Sequence, residues 1–174
     1  MHGPIMQLGY VVGDLATSVD SWARRTGAGP FIHMPGMAFG GWTYRGEPQV
    51  LTLDIAFAQL GDKMIELIQP SGTWPNVYGD APLPPGECRA HHHAFLVTDL
   101  DRAAASLDAG PPVTTGRLNE DVELRYYDCR RTLGLFIELI TDAPSTRDFF
   151  VLSERAAARW NRTAPYLIPL ESAA

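Results

Sequence analysis

Gln7-Leu8-Gly9-Tyr10-Val11-Val12-Gly13-Asp14-Leu15 and His92-His93-Ala94-Phe95-Leu96-Val97-Thr98-Asp99-Leu100 are two versions of one phrase. In each, a polar side chain able to bind a metal stands seven residues before an Asp-Leu pair. The apolar run between them reads as a strand, and the aspartate as the N-cap of a helix. A second matched phrase follows each: Met64-Ile65-Glu66-Leu67-Ile68 and Phe136-Ile137-Glu138-Leu139-Ile140. Each copy offers one candidate ligand early and one carboxylate late, so the two copies together offer four.

The surrounding segments extend the repeat. Residues 5–12 form the first strand, and Leu15, Val19 and Trp22 recur at helical spacing until Gly27. Gly29-Pro30 opens the next segment, and residues 50–58 and 63–69 read as strands joined at Gly61-Asp62. In the second half, residues 91–98 form a strand and Asp99 caps a helix through Leu107. Gly110-Pro111-Pro112 ends that helix, and 122–129 and 134–141 are strands. The first module is thus expected over 1–69 and the second over 91–143. Neither is long enough for a large core of its own, so the two should pack together. Between them, 70–90 is rich in Pro and Gly and reads as a linker able to cover an active site. In 144–174, Ser145 is the expected N-cap of a further helix bearing Phe149, Leu152, Ala156 and Trp160 on one stripe.

Composition narrows the partners. The chain has 174 residues, with 45% hydrophobic and 20% charged residues, an ordinary globular balance. A net charge of -6 and no basic run argue against nucleic acid. No apolar stretch approaches the roughly 20 residues of a membrane helix, and the N-terminus shows no signal-peptide pattern. Cys88 and Cys129 form no CxxC pair and read as two reduced thiols, which together point to a cytoplasmic protein without membrane partners.

Strand alternation gives the repeat its chemistry. Gln7 shares a face with Gly9, and His92 with Ala94 and Leu96. The small neighbours leave room in front of the sheet. Glu66 and Glu138 lie within apolar strands, where an unpaired charge is costly and a shared cation meets the need of both. Parity selects His92 from the run His91-His92-His93 and turns His91 and His93 to the other face.

On these phrases, over roughly residues 5–141, the chain resembles the vicinal oxygen chelate superfamily. That superfamily includes glyoxalase I, methylmalonyl-CoA epimerase, extradiol dioxygenases and the fosfomycin and bleomycin resistance proteins. The resemblance implies an α+β fold. Two βαβββ modules would form a curved mixed sheet around a central cleft, here with an added C-terminal helix. It implies a divalent metal ion (Zn, Ni, Co, Mn or Mg) held by Gln7, Glu66, His92 and Glu138, the Gln, Glu, His, Glu order of eukaryotic glyoxalase I. The epimerases are similar but use His, Gln, His and Glu. A homodimer is implied as well, with the cleft within one chain or across the interface.

Three oxygens and one nitrogen suit a hard divalent cation and do not match the two-His, one-carboxylate set of an extradiol-type dioxygenase. The expected activity is that of a metal-dependent isomerase, epimerase or lyase. It would work by proton transfer next to a metal-bound carbonyl of a small-molecule substrate. Glu138 or Glu66 would be the base, with Glu138 preferred. The epimerase resemblance also wants a glutamate after Phe31; the sequence gives Ile32-His33-Met34, and His33 is the candidate replacement. Phe31, Met34, Met37, Phe39, Trp42 and Tyr44 form an aromatic and Met-rich stretch that could line the substrate pocket or belong to the core. Arg45, Arg125, Arg130 and Arg131 are available should the substrate be a glutathione adduct or CoA ester. An alternative from another class is a metal-free protein that sequesters a hydrophobic ligand in the same cleft.

Overall fold

The two phrases become β1 (Gln7–Val12) followed by α1 (Leu15–Thr26), and β7 (Cys88–Val97) followed by α2 (Leu100–Leu107) in the computed structural model, which describes residues 3–173. Both helices start as the sequence dictates. Asp14 accepts a hydrogen bond from the Thr17 N–H and Asp99 from the Arg102 N–H, each satisfying a donor the first turn leaves open. Gly27 ends α1 at φ 76°, a left-handed conformation that favours glycine.

After α1, module one continues as β2 (Phe31–Met37), β5 (Leu51–Leu60) and β6 (Lys63–Gly72), with the hairpin β3 (Gly40–Tyr44) and β4 (Glu47–Pro48) inserted between β2 and β5. Module two continues as β8 (Thr114–Arg117), β9 (Glu123–Asp128), the single turn α3 (Arg130–Leu133) and β10 (Phe136–Thr141). The chain closes with α4 (Pro144–Arg159) and β11 (Leu167–Pro169). One mixed sheet of the described residues runs β11-β2-β5-β6-β1-β7-β10-β9-β8-β3-β4. Its centre is two matching wings, β2-β5-β6-β1 and β7-β10-β9-β8, joined by antiparallel pairing of β1 with β7.

Alternation then sorts the side chains. Outward, Leu15, Val19 and Ala23 of α1 pack with Val12, Phe31, Ile65 and Leu67. Ala103 of α2 packs with Val97, Tyr127, Ile137 and Leu139. Inward, Val11, Met64, Ile68, Tyr126 and Phe136 join residues of β5 in a third cluster inside the curve of the sheet.

Several details depart from the sequence expectation. The strands at 31–37, 40–44, 114–117 and 167–169 are additions to the strands assigned from sequence. β3 does not stay with its own wing: it crosses to pair with β8 of the other module, Thr43 opposite Thr115 and Tyr44 opposite Thr114. Residues 70–72 extend β6 and 88–90 extend β7, so the connection between modules is 73–87, within which Asn76, Val77 and Tyr78 are buried. α4 begins two residues earlier than a Ser145 cap allows: Ala143 is the cap and Pro144 the first helical residue, where its fixed φ fits and its missing N–H is no loss.

Candidate metal centre and cavity

Register brings the four candidate ligands together. Across β6-β1-β7-β10, one row of neighbours is Glu66, Gly9, His92 and Phe136; the adjacent row is Met64, Gln7, Ala94 and Glu138. Each of four consecutive strands therefore contributes one polar side chain to the same inner patch. Each early ligand faces a small residue of the other module: Gln7 faces Ala94 and His92 faces Gly9. Gly9 has no alternative, since a Cβ there would lie 1.9 Å from the His92 ring.

The four are buried and touch one another. Gln7 Nε2 donates to Glu66 Oε2 at 2.6 Å. His92 Nε2 lies 3.1 Å from Glu66 Oε2 and 3.1 Å from Glu138 Oε2. Those contacts are close enough for ion pairing, but His92 Nε2 and Glu138 Oε2 have no partner in hydrogen-bond geometry. One ligand atom from each of Glu66, His92 and Glu138 falls within 4.8 Å of the others. Two buried carboxylates this close to one imidazole nitrogen call for positive charge, from a proton on that nitrogen or from a bound cation. With the Gln7 amide oxygen, the donor set fits a divalent metal ion.

His91 corrects the parity expectation. β7 bulges opposite the Gly9–Tyr10 step: Gly9 pairs with His92 and Tyr10 with Ala90, so His91 is the extra residue. The bulge leaves His91 buried on the inner side, against Tyr78, Tyr126 and Phe136. Its Nε2 lies 3.0 Å from the Val77 carbonyl oxygen, which can only accept, so that nitrogen carries the proton. Burial and the neighbouring His92 push His91 down to about 3, so it is neutral and its Nδ1 is an acceptor. His92 Nδ1, 3.0 Å away, is then the donor. This chain from Val77 fixes the His92 ring and leaves Nε2 as the atom facing the carboxylates. His93 is half-buried and lies opposite Leu8, on the outer face as expected.

Electrostatics follow the same geometry. Burial opposes a charge on His92, but Glu138 and Glu66 outweigh it and push its pKa up to about 10. Burial raises the Glu66 carboxyl against the pull of His92. Burial, reinforced by the two glutamates, holds the Tyr78 and Tyr126 hydroxyls well above the usual phenol range, so both remain uncharged donors.

A cavity of about 260 Å³ opens onto this patch, with Gln7, Glu66, Glu138, Tyr78 and Tyr126 on its floor side. Of the stretch expected to line it, Met34, Met37 and Phe39 do so. Phe31, Trp42 and Tyr44 do not. Phe31 and Met34 are three apart on one strand and must face opposite ways; Phe31 packs under α1. Trp42 lies one layer back, stacked on Tyr78 and pressed against Gly116. Tyr44 is at the far edge, opposite Thr114. His33 is also corrected as a base: it is paired with Ala56, whose side chain packs in the outer cluster, and it does not reach the cavity. Sequence reasoning missed Tyr78, which carried no pattern signal, and Phe149 and Phe150, whose helix was assigned without a destination. Tyr126 was in principle legible, because its strand lies beside Glu138 and it alternates with Leu124.

Comparison with known proteins places the chain. Residues 6–120 match the Glyoxalase/Bleomycin resistance protein/Dioxygenase superfamily, and the chain belongs to that family. Comparison with curated protein sequences returns no match. Among solved structures, a variant of Streptomyces coelicolor methylmalonyl-CoA epimerase in complex with 2-nitronate-propionyl-CoA is similar at a TM-score of 0.53 and 19% identity, over 82% of this chain and 99% of that one. Methylmalonyl-CoA epimerase from Mycobacterium tuberculosis is similar at a TM-score of 0.50 and 17% identity, over 82% of this chain and 90% of that one. At such identities the likeness is one of fold. No helix of the described residues is long and apolar enough to cross a membrane.

Proposed function

We propose that this protein is a divalent-metal-dependent isomerase or epimerase, with lyase chemistry in the same class, that moves a proton beside a substrate carbonyl. The observation that carries this is the buried cluster in which one ligand atom each from Glu66, His92 and Glu138 lies within 4.8 Å of the others. Gln7, Glu66, His92 and Glu138 would hold the ion. When bound, the ion supplies Lewis acidity, which weakens the C–H bond next to a carbonyl.

The remaining chemistry belongs to side chains. Glu138 is the proton carrier: its Oε2 is met by His92 Nε2 at 3.1 Å, whereas Glu66 Oε2 has the same contact and is held by the Gln7 amide as well. Among the described residues, no carboxylate other than these two lines the cavity. Return of the proton by Glu138 to a neighbouring carbon is isomerisation. Its return to the opposite face of the same carbon is epimerisation and needs a second acid, for which Glu66 is the other carboxyl on the cavity among the described residues. Tyr126 donates to the Tyr78 oxygen, which leaves the Tyr78 hydroxyl as the neutral donor for the oxygen on which charge develops. His91 cannot act as a second histidine ligand, because its nitrogens are engaged by Val77 and His92. The two-His, one-carboxylate set of an oxygenase is therefore not formed.

Elemental analysis of protein purified without a nickel column tests this reading: about one divalent ion per chain, removable by chelator, is expected. Native protein with no stoichiometric ion would sink it. The apolar walls of the cavity favour one further reading, a metal-free protein sequestering a hydrophobic ligand. Ligand binding that survives chelation, with no exchange of substrate C–H for solvent deuterium, would select that alternative. The four-residue set lies within one chain, so the proposed homodimer is not needed to complete it.

A further inference from the structure

The composition of the cavity wall goes beyond the reaction type. We infer that the substrate is a carbonyl compound with an aliphatic or aromatic flank, and that this flank carries no carboxylate. The inference rests on the metal-dependent reading and names the substrate class of that site.

Beyond the floor, the wall is built from Met34, Phe39, Leu53, Leu124, Ile140 and Phe149. Its polar members there are the uncharged Asn119, Ser145 and Thr146, and among the described residues no Lys, Arg or His lines it. A carboxylate lodged against this wall, away from the ion, would find no side-chain cation among the described residues that line it. The arginines reserved for an anionic substrate are elsewhere. Arg125 is held by Asp101 and Glu123, Arg130 by Asp128, and Arg45 lies over the Tyr44 ring. None of these, nor Arg131, lines the cavity. Two elements outside the module repeat supply much of the wall. The crossing from β2 to β3 brings Phe39 over the cleft, and α4 brings Phe149, set edge-on to Phe57 at a centroid distance of 5.0 Å.

Hydroxamates separate this inference from the reading beneath it. The hydroxamate group chelates a metal, and its tail samples the wall. Metal-loaded full-length protein is titrated calorimetrically with acetohydroxamate, hexanohydroxamate, octanohydroxamate and an octano analogue ending in a carboxylate. Affinity should rise about three- to four-fold per methylene until the cavity is filled. The carboxylate-ended member should bind at least about tenfold more weakly than octanohydroxamate. In Phe149→Ala, the ratio of octano- to acetohydroxamate affinity should fall about tenfold, and acetohydroxamate binding itself reports that the variant is folded. Acetohydroxamate binding with no gain from the tail, or with preference for the carboxylate, would overturn the inference and leave the metal reading standing. Failure of every hydroxamate would remove the metal reading and the inference with it.

Discussion

The two modules present the same phrases to the same patch, yet they end in different states. In module one, Gln7 and Glu66 satisfy each other at 2.6 Å. In module two, His92 Nε2 and Glu138 Oε2 lie 3.1 Å apart as an ion pair outside hydrogen-bond geometry, and the same nitrogen lies 3.1 Å from Glu66 Oε2. Module two also carries the bulge that brings His91 and Val77 behind the imidazole; the module-one strand has no second side chain of that kind in the same place. The difference divides the labour. Module one closes on its own hydrogen bond, whereas the proposed ion and proton transfer rest chiefly on module two.

Substitution should break this asymmetry most strongly at His92. His92→Ala is expected to abolish stoichiometric divalent-ion binding, while Gln7→Ala weakens it about tenfold, because Gln7 contributes a neutral oxygen. Competition with a chromogenic chelator measures both. Equal losses would show that the modules contribute alike.

The next effect concerns the residue behind His92. His91→Phe keeps a buried ring but removes the acceptor for His92 Nδ1, and metal affinity should fall about 10- to 100-fold with the fold retained. The same variant sharpens a pH test on chelator-treated protein. His92 is raised to about 10, so its contribution to stability is whole below its unfolded value of about 6.5 and is lost as pH climbs through about 10. His91 is lowered to about 3, so protonation of the unfolded chain removes stability as pH falls from about 6.5 toward 3. Melting temperature against pH should therefore decline on both sides of neutrality, and His91→Phe should flatten the acid side.

Smaller effects come from the scaffold. Gly9→Ala places a methyl against the His92 ring and should cost about 1–3 kcal/mol, whereas Ala94→Gly should cost about 1 kcal/mol or less, both read from denaturant melts. At the two helix caps the modules should behave alike. Asp14→Ala and Asp99→Ala are each expected to cost about 1 kcal/mol, and a clear inequality would mean the caps do more than end their helices.

Local rules were enough for a large part of this protein. Asp14, Gly27 and Asp99 mark helix ends because capping depends on residues within a turn of one another. Alternation alone set Gln7, Glu66, His92 and Glu138 on one face, since side-chain parity within an unbroken strand is independent of what packs against it. The repeat then implied that the two faces are one.

What only the tertiary structure decided lies where the chain breaks its own period or meets distant segments. The bulge in β7 turns His91 inward, and no pattern within the His91-His92-His93 run announces it, because a bulge is set by register with the neighbouring strand. Phe31 and His33 were expected beside Met34, but strand parity sends them outward once β2 is a strand. The crossing of β3 to β8, the descent of Tyr78 from the inter-module connection and the placing of Phe149 over the cleft are all long-range pairings. Their residues are simply apolar in sequence, and only the shape of the finished cleft determines which of them become its wall.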